Sequence, residues 1–339
     1  MGSVKDLAVV EEPSNHATGR GRFVFSDRYS VFDWGEMPDH IPNKGKAICM
    51  ATAHFFEELK KKKVRTHYLG LVEGRKIKKL DQLDAASNTM EVELVRVIEP
   101  RINSGSYDYS VFREERANIL IPLEVMYRNS LPPGSSVFKR LENGSLKPAD
   151  IGLTEMPQPG QALKKSMLDY STKLESSDRY LSREEARESG GLSEDELREI
   201  ERVTLLANDL VSAEASKLGL LNEDGKVEFA FDGDRELMLV DALGTLDECR
   251  FTFEGMAVSK EIARIYYRKT DWYRETEKAK GVDKVNWKKL VENSPPPLPP
   301  EFLKAISDIY MAYANEITAI AFFDAPPLQE SLETVKNFL

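Results

Sequence analysis

Residues 226–241 read Lys-Val-Glu-Phe-Ala-Phe-Asp-Gly-Asp-Arg-Glu-Leu-Met-Leu-Val-Asp. Two short runs, Lys226–Phe231 and Glu236–Asp241, flank Asp232-Gly233, and this pattern predicts a hairpin with a slightly long loop. Glu228 then sits on the first strand and Asp241 at the end of the second. Antiparallel pairing brings such carboxylates together, which is how an enzyme can hold Mg²⁺ against nucleotide phosphates. Two independently solvated strand carboxylates are the other reading, and from these residues alone the more common one.

Working outward, Ser193-Glu194-Asp195-Glu196 is a capping box, with Ser193 as N-cap and Glu196 at the third helical position. The helix it opens runs to about Lys217, with Leu197, Ile200, Val203, Ala207, Leu210 and Val211 on one face. Residues 22–25, 92–98 and 119–128 are rich in β-branched and aromatic residues and read as strands. Pro122 argues for an edge or bulge position in the last of these. Residues 46–63 carry Ile48, Ala51, Phe55, Phe56 and Leu59 at helical spacing, and their terminal lysines suit a solvent-facing helix C-terminus. Residues 99–117 look like a loop or insertion, and 129–170 look loop-rich. Residues 259–277 read as a helix. Ser294–Pro300 holds five prolines in seven residues, a stiff linker, before a last helix at about 301–322.

The strand end at Arg128 is followed by Ser135, Ser136, Lys139 and Arg140. A guanidinium, turn N–H groups and hydroxyls together suit a phosphate monoester, although an ordinary surface turn has the same composition. Residues 26–33, Ser-Asp-Arg-Tyr-Ser-Val-Phe-Asp, place two acids, an Arg and hydroxyls directly after a strand; a turn with an ion pair is the plain alternative. Lys plus Arg total 47 against 57 Asp plus Glu in 339 residues, a net charge of −10. That argues against nucleic acid as the main partner, while a local basic cluster can still bind a small anion. Cys49 and Cys249 are far apart and form no metal or disulfide motif, as expected in a reducing cytoplasm. No apolar run approaches the ~20 residues of a membrane helix, and the N-terminus lacks a signal-peptide core.

The ordered set of motifs resembles the SAICAR synthetase (phosphoribosylaminoimidazole-succinocarboxamide synthase) family over most of residues 1–275. Gly2-Ser3-Val4-Lys5-Asp6 resembles the family's opening Gly-Lys-Val-Arg/Lys-Asp. Residues 26–33 resemble Thr-Asp-Arg-Ile-Ser-Ala-Phe-Asp, and Ile41-Pro42-Asn43-Lys44-Gly45 resembles Ile-Pro-Gly-Lys-Gly, with Thr66-His67 following. Residues 121–128 resemble Ile-Pro-Leu-Glu-Val-Ile-Val-Arg. Ser171-Thr172-Lys173 with Asp178, Lys226-Val227-Glu228-Phe229, and Asp241…Thr245…Asp247…Arg250-Phe251 continue the series. Each piece is weak and the ordered set is strong.

The resemblance implies an α+β, two-lobed fold: a small antiparallel β-rich lobe like a kinase N-lobe, and a larger ATP-grasp-like lobe. The boundaries expected are 1–122 and 123–290, with a Pro-rich linker and helical extension at 291–339. It implies an ATP-dependent ligase that joins the carboxylate of CAIR (carboxyaminoimidazole ribonucleotide) to L-aspartate through an acyl phosphate, in the cytoplasm. ATP and Mg²⁺ are the implied cofactors and a homo-oligomer is compatible. Lys5, Val95, Glu228 and Asp241 would serve ATP, the two carboxylates holding Mg²⁺. Arg28, Ser30, Arg128, Ser135, Ser136, Arg250 and Lys260 would hold the phosphoribosyl substrate. Asp27, Asp33, Lys173, Asp178 and Lys226 are the catalytic candidates.

The chain departs from the pattern at Ser3 for Lys, Ser177 for His, Ala242 for an acid, and Glu248-Cys249 for Ser-Ser. Ser3, Ser177 and Ala242 motivate an alternative, a paralogous ligase or kinase acting on another phosphorylated substrate or amine. Joint survival of Glu228, Asp241, Arg128 and Arg250 argues against a decayed, non-enzymatic site.

Overall fold

The hairpin at 226–241 forms in the computed structural model, which describes residues 4–103, 105–284 and 286–339. Gly2 and Ser3 of the opening motif lie outside the described residues. Glu228 pairs with Val240 and Phe231 with Leu237, so Asp241 follows directly on the partner of Glu228.

The chain begins with β1 (Lys5–Glu11) and β2 (Gly19–Phe25), then α1 (Lys44–Lys61), β3 (Tyr68–Glu73), β4 (Lys76–Lys78) and β5 (Thr89–Leu94). These strands make one antiparallel sheet ordered β1-β2-β5-β3-β4. Next come β6 (Arg101–Asn103), β7 (Ser106–Asp108) and α2 (Val111–Glu114), so the stretch read as a loop or insertion carries a small hairpin and a helical turn.

A second sheet is built from β8 (Ile119–Leu131), β9 (Gln161–Thr172), β10 (Tyr180–Leu181), β11 (Leu221–Phe231), β12 (Leu237–Val240), β13 (Cys249–Phe253) and β14 (Met256–Ala257). Its order is β10-β9-β8-β11-β13-β14, with β12 also on β11. One edge of β11 is therefore shared: β13 pairs with Leu221–Gly225 and β12 with Glu228–Phe231. The chain between β12 and β13 crosses this gap. Helices α3 (Ser136–Glu142), α4 (Arg183–Ser189) and α5 (Glu194–Lys217) intervene along the sequence, and α6 (Glu261–Tyr267), α7 (Asp271–Val282), α8 (Pro300–Thr318) and α9 (Leu328–Lys336) complete it.

Of the two positions expected for Pro122, edge or bulge, the bulge is the one found: β8 pairs with both β9 and β11, and the β8–β11 register shifts between Glu228 and Ala230, which spares the missing donor. Other expectations are corrected. Residues 161–170, read as loop, belong to a twelve-residue strand. The strand expected at 92–98 ends at Leu94. Helix 259–277 is two helices, because Thr270 breaks the run and caps α7 by accepting from the Tyr273 N–H at 3.2 Å. The last helix stops at Thr318, where Ala319 turns left-handed at φ 56, and α9 follows.

The sheets are stitched by short parallel bridges, Thr66 with Leu239 and Arg96 with Ile119. The His67 N–H donates to Leu239 O at 3.0 Å and the Glu93 N–H to His67 O at 2.8 Å. The seam therefore runs beside Glu228 and Asp241. One extended apolar cluster joins α1, α5, α8 and both sheets. No helix among the described residues is long and apolar enough to cross a membrane.

Candidate active site

Two cavities flank the β11–β12 hairpin. The first, about 570 Å³, has apolar walls of Leu7, Val9, Phe23, Leu94, Val95, Leu120 and Val240, and a charged end at His67, Lys173, Glu228 and Asp241. The second, about 520 Å³, is lined by polar groups including Ser30, Glu124, Arg128, Ser136, Asp178, Lys226, Arg250 and Lys260. Both sizes suit a nucleotide-sized ligand. Glu228 and Lys173 face the first, Lys226 and Glu124 the second.

Between the cavities stands a wall of opposed charges. The Glu228 carboxylate, 2 % exposed, accepts from Lys226 Nζ at 3.1 Å and is paired with Lys173 Nζ at 2.5 Å. Lys226 also reaches Glu124 at 2.8 Å and Glu248 at 3.5 Å. Lys5 pairs with Asp241 and lies over the Phe23 ring. Burial and then the Asp241 charge lift the Glu228 carboxyl, against the pull of Lys226 and Lys173. Burial also disfavours charge on Asp241, but Lys5, Lys173 and Lys226 outweigh it and hold this carboxyl well below the usual range. Lys173 and Lys226 are likewise desolvated, yet their carboxylate neighbours raise both ammonium groups, so they stay charged at neutral pH. Glu228 and Asp241 are the hard carboxylates at the charged end of the first cavity, the residues that could hold a divalent cation beside phosphates.

The second cavity has a different chemistry. Arg128 is 2 % exposed and tied to Asp169 at 3.0 Å and Asp224 at 3.2 Å. Its guanidinium also lies 3.3 Å from Ser136 Oγ, which donates to Tyr180 OH at 2.7 Å. Arg250 Nε donates to Asp224 Oδ1 at 2.8 Å. Aspartates thus hold two guanidiniums beside one cavity, leaving donors for an anion. Gly225 allows this packing: a Cβ there would lie 2.2 Å from Tyr127 OH. Burial raises the Asp178 carboxyl; Lys226 pulls it down and Asp33 adds to the rise, so these groups share one field.

Not every residue singled out by sequence lies at this wall. The Asp27 carboxylate accepts from the N–H groups of Asn43 at 3.1 Å and Gly45 at 2.9 Å, so it fastens the start of α1. Arg28 pairs with Asp6 at 2.8 Å, and Ser135 is the N-cap of α3. Asp33, with φ 61, and Ser30 belong to the segment that reaches the second cavity. Lys260 lines that cavity and Val95 the first. Sequence reasoning did not single out Glu124, Asp169 or Tyr180. Only strand register, which sets Glu124 opposite Glu228 and Ser171, identifies the first. His67, part of the Thr66-His67 motif, packs edge-on against Phe23 and Phe56 and lies 3.3 Å from Asp241 O.

Comparison with known proteins completes the picture. The family model described as SAICAR synthetase matches residues 2–280. A protein of Archaeoglobus fulgidus, provisionally named phosphoribosylaminoimidazole-succinocarboxamide synthase, is 51% identical over 339 residues, covering 100% of both chains. The Thermoplasma acidophilum phosphoribosylaminoimidazole-succinocarboxamide synthase is 32% identical, over 87% of this chain and 92% of its own. Among solved structures, the Saccharomyces cerevisiae SAICAR synthase complexed with SAICAR superposes with a TM-score of 0.64 at 22% identity, covering 94% of this chain and 93% of that one. A type-2 SAICAR synthetase in complex with ADP gives 0.57 at 20%, covering 88% and 99%. These two establish the shared two-lobed α+β fold.

Proposed function

The chain belongs to the SAICAR synthetase family, and we propose that its two cavities hold the two halves of that family's reaction on either side of the Glu228–Lys173–Lys226 wall. It is a phosphoribosylaminoimidazole-succinocarboxamide synthase, an ATP-dependent carbon–nitrogen ligase of purine biosynthesis joining CAIR and L-aspartate.

In our reading the adenine and ribose of ATP lie in the apolar cavity with Val95, and the phosphates run toward Lys5, Glu228 and Asp241. CAIR lies in the second cavity, its phosphate on Arg128, Ser136 and Arg250, with Lys260 and Ser30 nearby. The CAIR carboxylate then meets the γ-phosphate at the wall. A carboxylate is a poor electrophile, so phosphoryl transfer to its oxygen, with ADP leaving, turns it into an acyl phosphate. Attack by the aspartate amine breaks the C–O bond and releases phosphate. Lys173 and Lys226 stand where negative charge accumulates, and fixed cations in a desolvated site need little reorganisation. Asp178 and Asp33 are placed to orient the incoming amine. Glu228 and Asp241 would hold Mg²⁺, which would supply charge neutralisation between ATP and CAIR.

The observation that carries this reading is the buried wall shared by an apolar cavity and an arginine-lined one. The test is ADP release from ATP, Mg²⁺ and CAIR, with and without L-aspartate, with products weighed by mass spectrometry. ADP and the succinocarboxamide in equal amounts, only with all substrates present, is the expected result. Steady ADP release that ignores CAIR would overturn the placement.

A further inference from the structure

The loop between β12 and β13 ends at the two cavities: Asp241 faces the first, and Asp247, Glu248 and Cys249 line the second. It crosses the gap in the β11 edge, and left-handed backbone at Asp241 (φ 76) and Gly244 (φ 68) bends it. Something else must fix its course. That support comes from α8, which lies beyond the residues matched by the family model.

Tyr310 OH donates to Asp247 Oδ1 at 2.6 Å, and Tyr313 OH donates to Gly244 O. The other Asp247 oxygen meets Lys44 Nζ at 2.6 Å; this lysine is 0 % exposed and lies under the Tyr310 ring. On the same helix Ser307 Oγ donates to Pro42 O at 2.6 Å. The helix thus fastens together the start of α1 and the 241–249 loop. Lys260, which lines the second cavity beside Asp247, is tied to the same loop by its backbone N–H, which donates to Leu246 O at 3.2 Å. Burial disfavours charge on Asp247, but Lys44 and then Lys260 outweigh it.

We propose that Tyr310 is a positioning residue for the ligase reaction: through Asp247 it sets the loop and Lys260 against the phosphoribosyl substrate. The inference rests on the placement of CAIR in the second cavity. Loss of the hydroxyl leaves a buried carboxylate oxygen without its donor, which loosens the loop. Asp241, at the far end, is held independently by Lys5.

The test compares full-length wild type, Tyr310→Phe and Ile306→Val, the last a conservative change at a buried α8 position that lines neither cavity and carries no polar group to the loop. Tyr310→Phe should raise KM for CAIR about tenfold and leave KM for ATP within about twofold, a difference of roughly one lost hydrogen bond to a charged group. Ile306→Val should lower Tm without changing either KM. Hydrogen exchange of the peptide spanning 241–249 should quicken in Tyr310→Phe only. Equal KM changes for both substrates, or unchanged KM and unchanged exchange, would overturn the inference. A wild type with no CAIR-dependent turnover would instead overturn the ligase placement, and faster exchange in Tyr310→Phe would still establish the loop support.

Discussion

Glu228 and Asp241 are neighbours held in opposite directions. Burial dominates at Glu228, and three ammonium groups dominate at Asp241. Neutralising either one leaves lysines facing a hole in the charge pattern. Glu228→Gln and Asp241→Asn should each lower kcat on the order of 100-fold or more while circular dichroism stays native, since neither change alters side-chain volume much. Turnover close to wild type in either would refute their role. Cys249 shows the contrary case. Its thiol is buried, 3.3 Å from Tyr127 OH, and burial pushes it up to about 12, so no thiolate forms at neutral pH. Cys249→Ser should keep kcat within about threefold, and the enzyme should resist iodoacetamide, because an un-ionised buried thiol is inert. Sharp inactivation would give this cysteine a chemical role. At this scale the sequence displayed the charged groups but not their partners. Asp27 and Ser135, both expected at the site, also accept from backbone N–H groups at the starts of α1 and α3, contacts that only the folded chain displays.

Elements fix these groups through register and bend. The hairpin was legible because alternation and an Asp-Gly turn are local signals. The capping box of α5 was legible for the same reason; Ser193 Oγ accepts from the Glu196 N–H at 3.2 Å. The choice of bulge over edge at Pro122 and the length of β9 were not, because both depend on which strands are neighbours. The β12–β13 loop has one steric limit. A Cβ on Gly244 would lie 2.1 Å from the Phe55 ring, and its φ of 68 disfavours a side chain. Gly244→Ala should lower stability by roughly 1–3 kcal/mol, read as a fall in the urea midpoint, from overpacking and backbone strain together. An unchanged midpoint would show that α1 yields at this contact.

The whole molecule depends on the seam between its sheets, where His67 is buried among Phe23, Phe56 and Asp241. Burial lowers its imidazole from 6.5 to about 4, against the pull of Asp241. Above pH 6.5 the ring is neutral folded and unfolded, and it costs nothing. Between pH 6.5 and about 4 the unfolded chain takes up the proton and the folded chain refuses it, so stability falls as pH falls. The loss from this group amounts to roughly 3 kcal/mol by pH 4. His67→Gln, which does not titrate, should flatten that part of the stability–pH curve in chemical denaturation. An identical slope would assign the acid sensitivity to the carboxylates alone.

Local pattern by itself determined the hairpin, the long capped helix and the ordered motifs that gave the family, because each is written in residues close together along the chain. Helical spacing likewise marks an apolar face on the last helix at Ile306, Ile309, Tyr310, Tyr313 and Ile317, all of which are buried. What that face covers was decided only by tertiary structure: α8 lies on α1 and reaches the 241–249 loop. So too was the division of charge between Glu228 and Asp241. Both outcomes depend on groups brought together from more than sixty residues away, as with Tyr310 and Asp247 or Lys5 and Asp241. Burial and Coulomb fields act through space, and only the folded chain sets those distances.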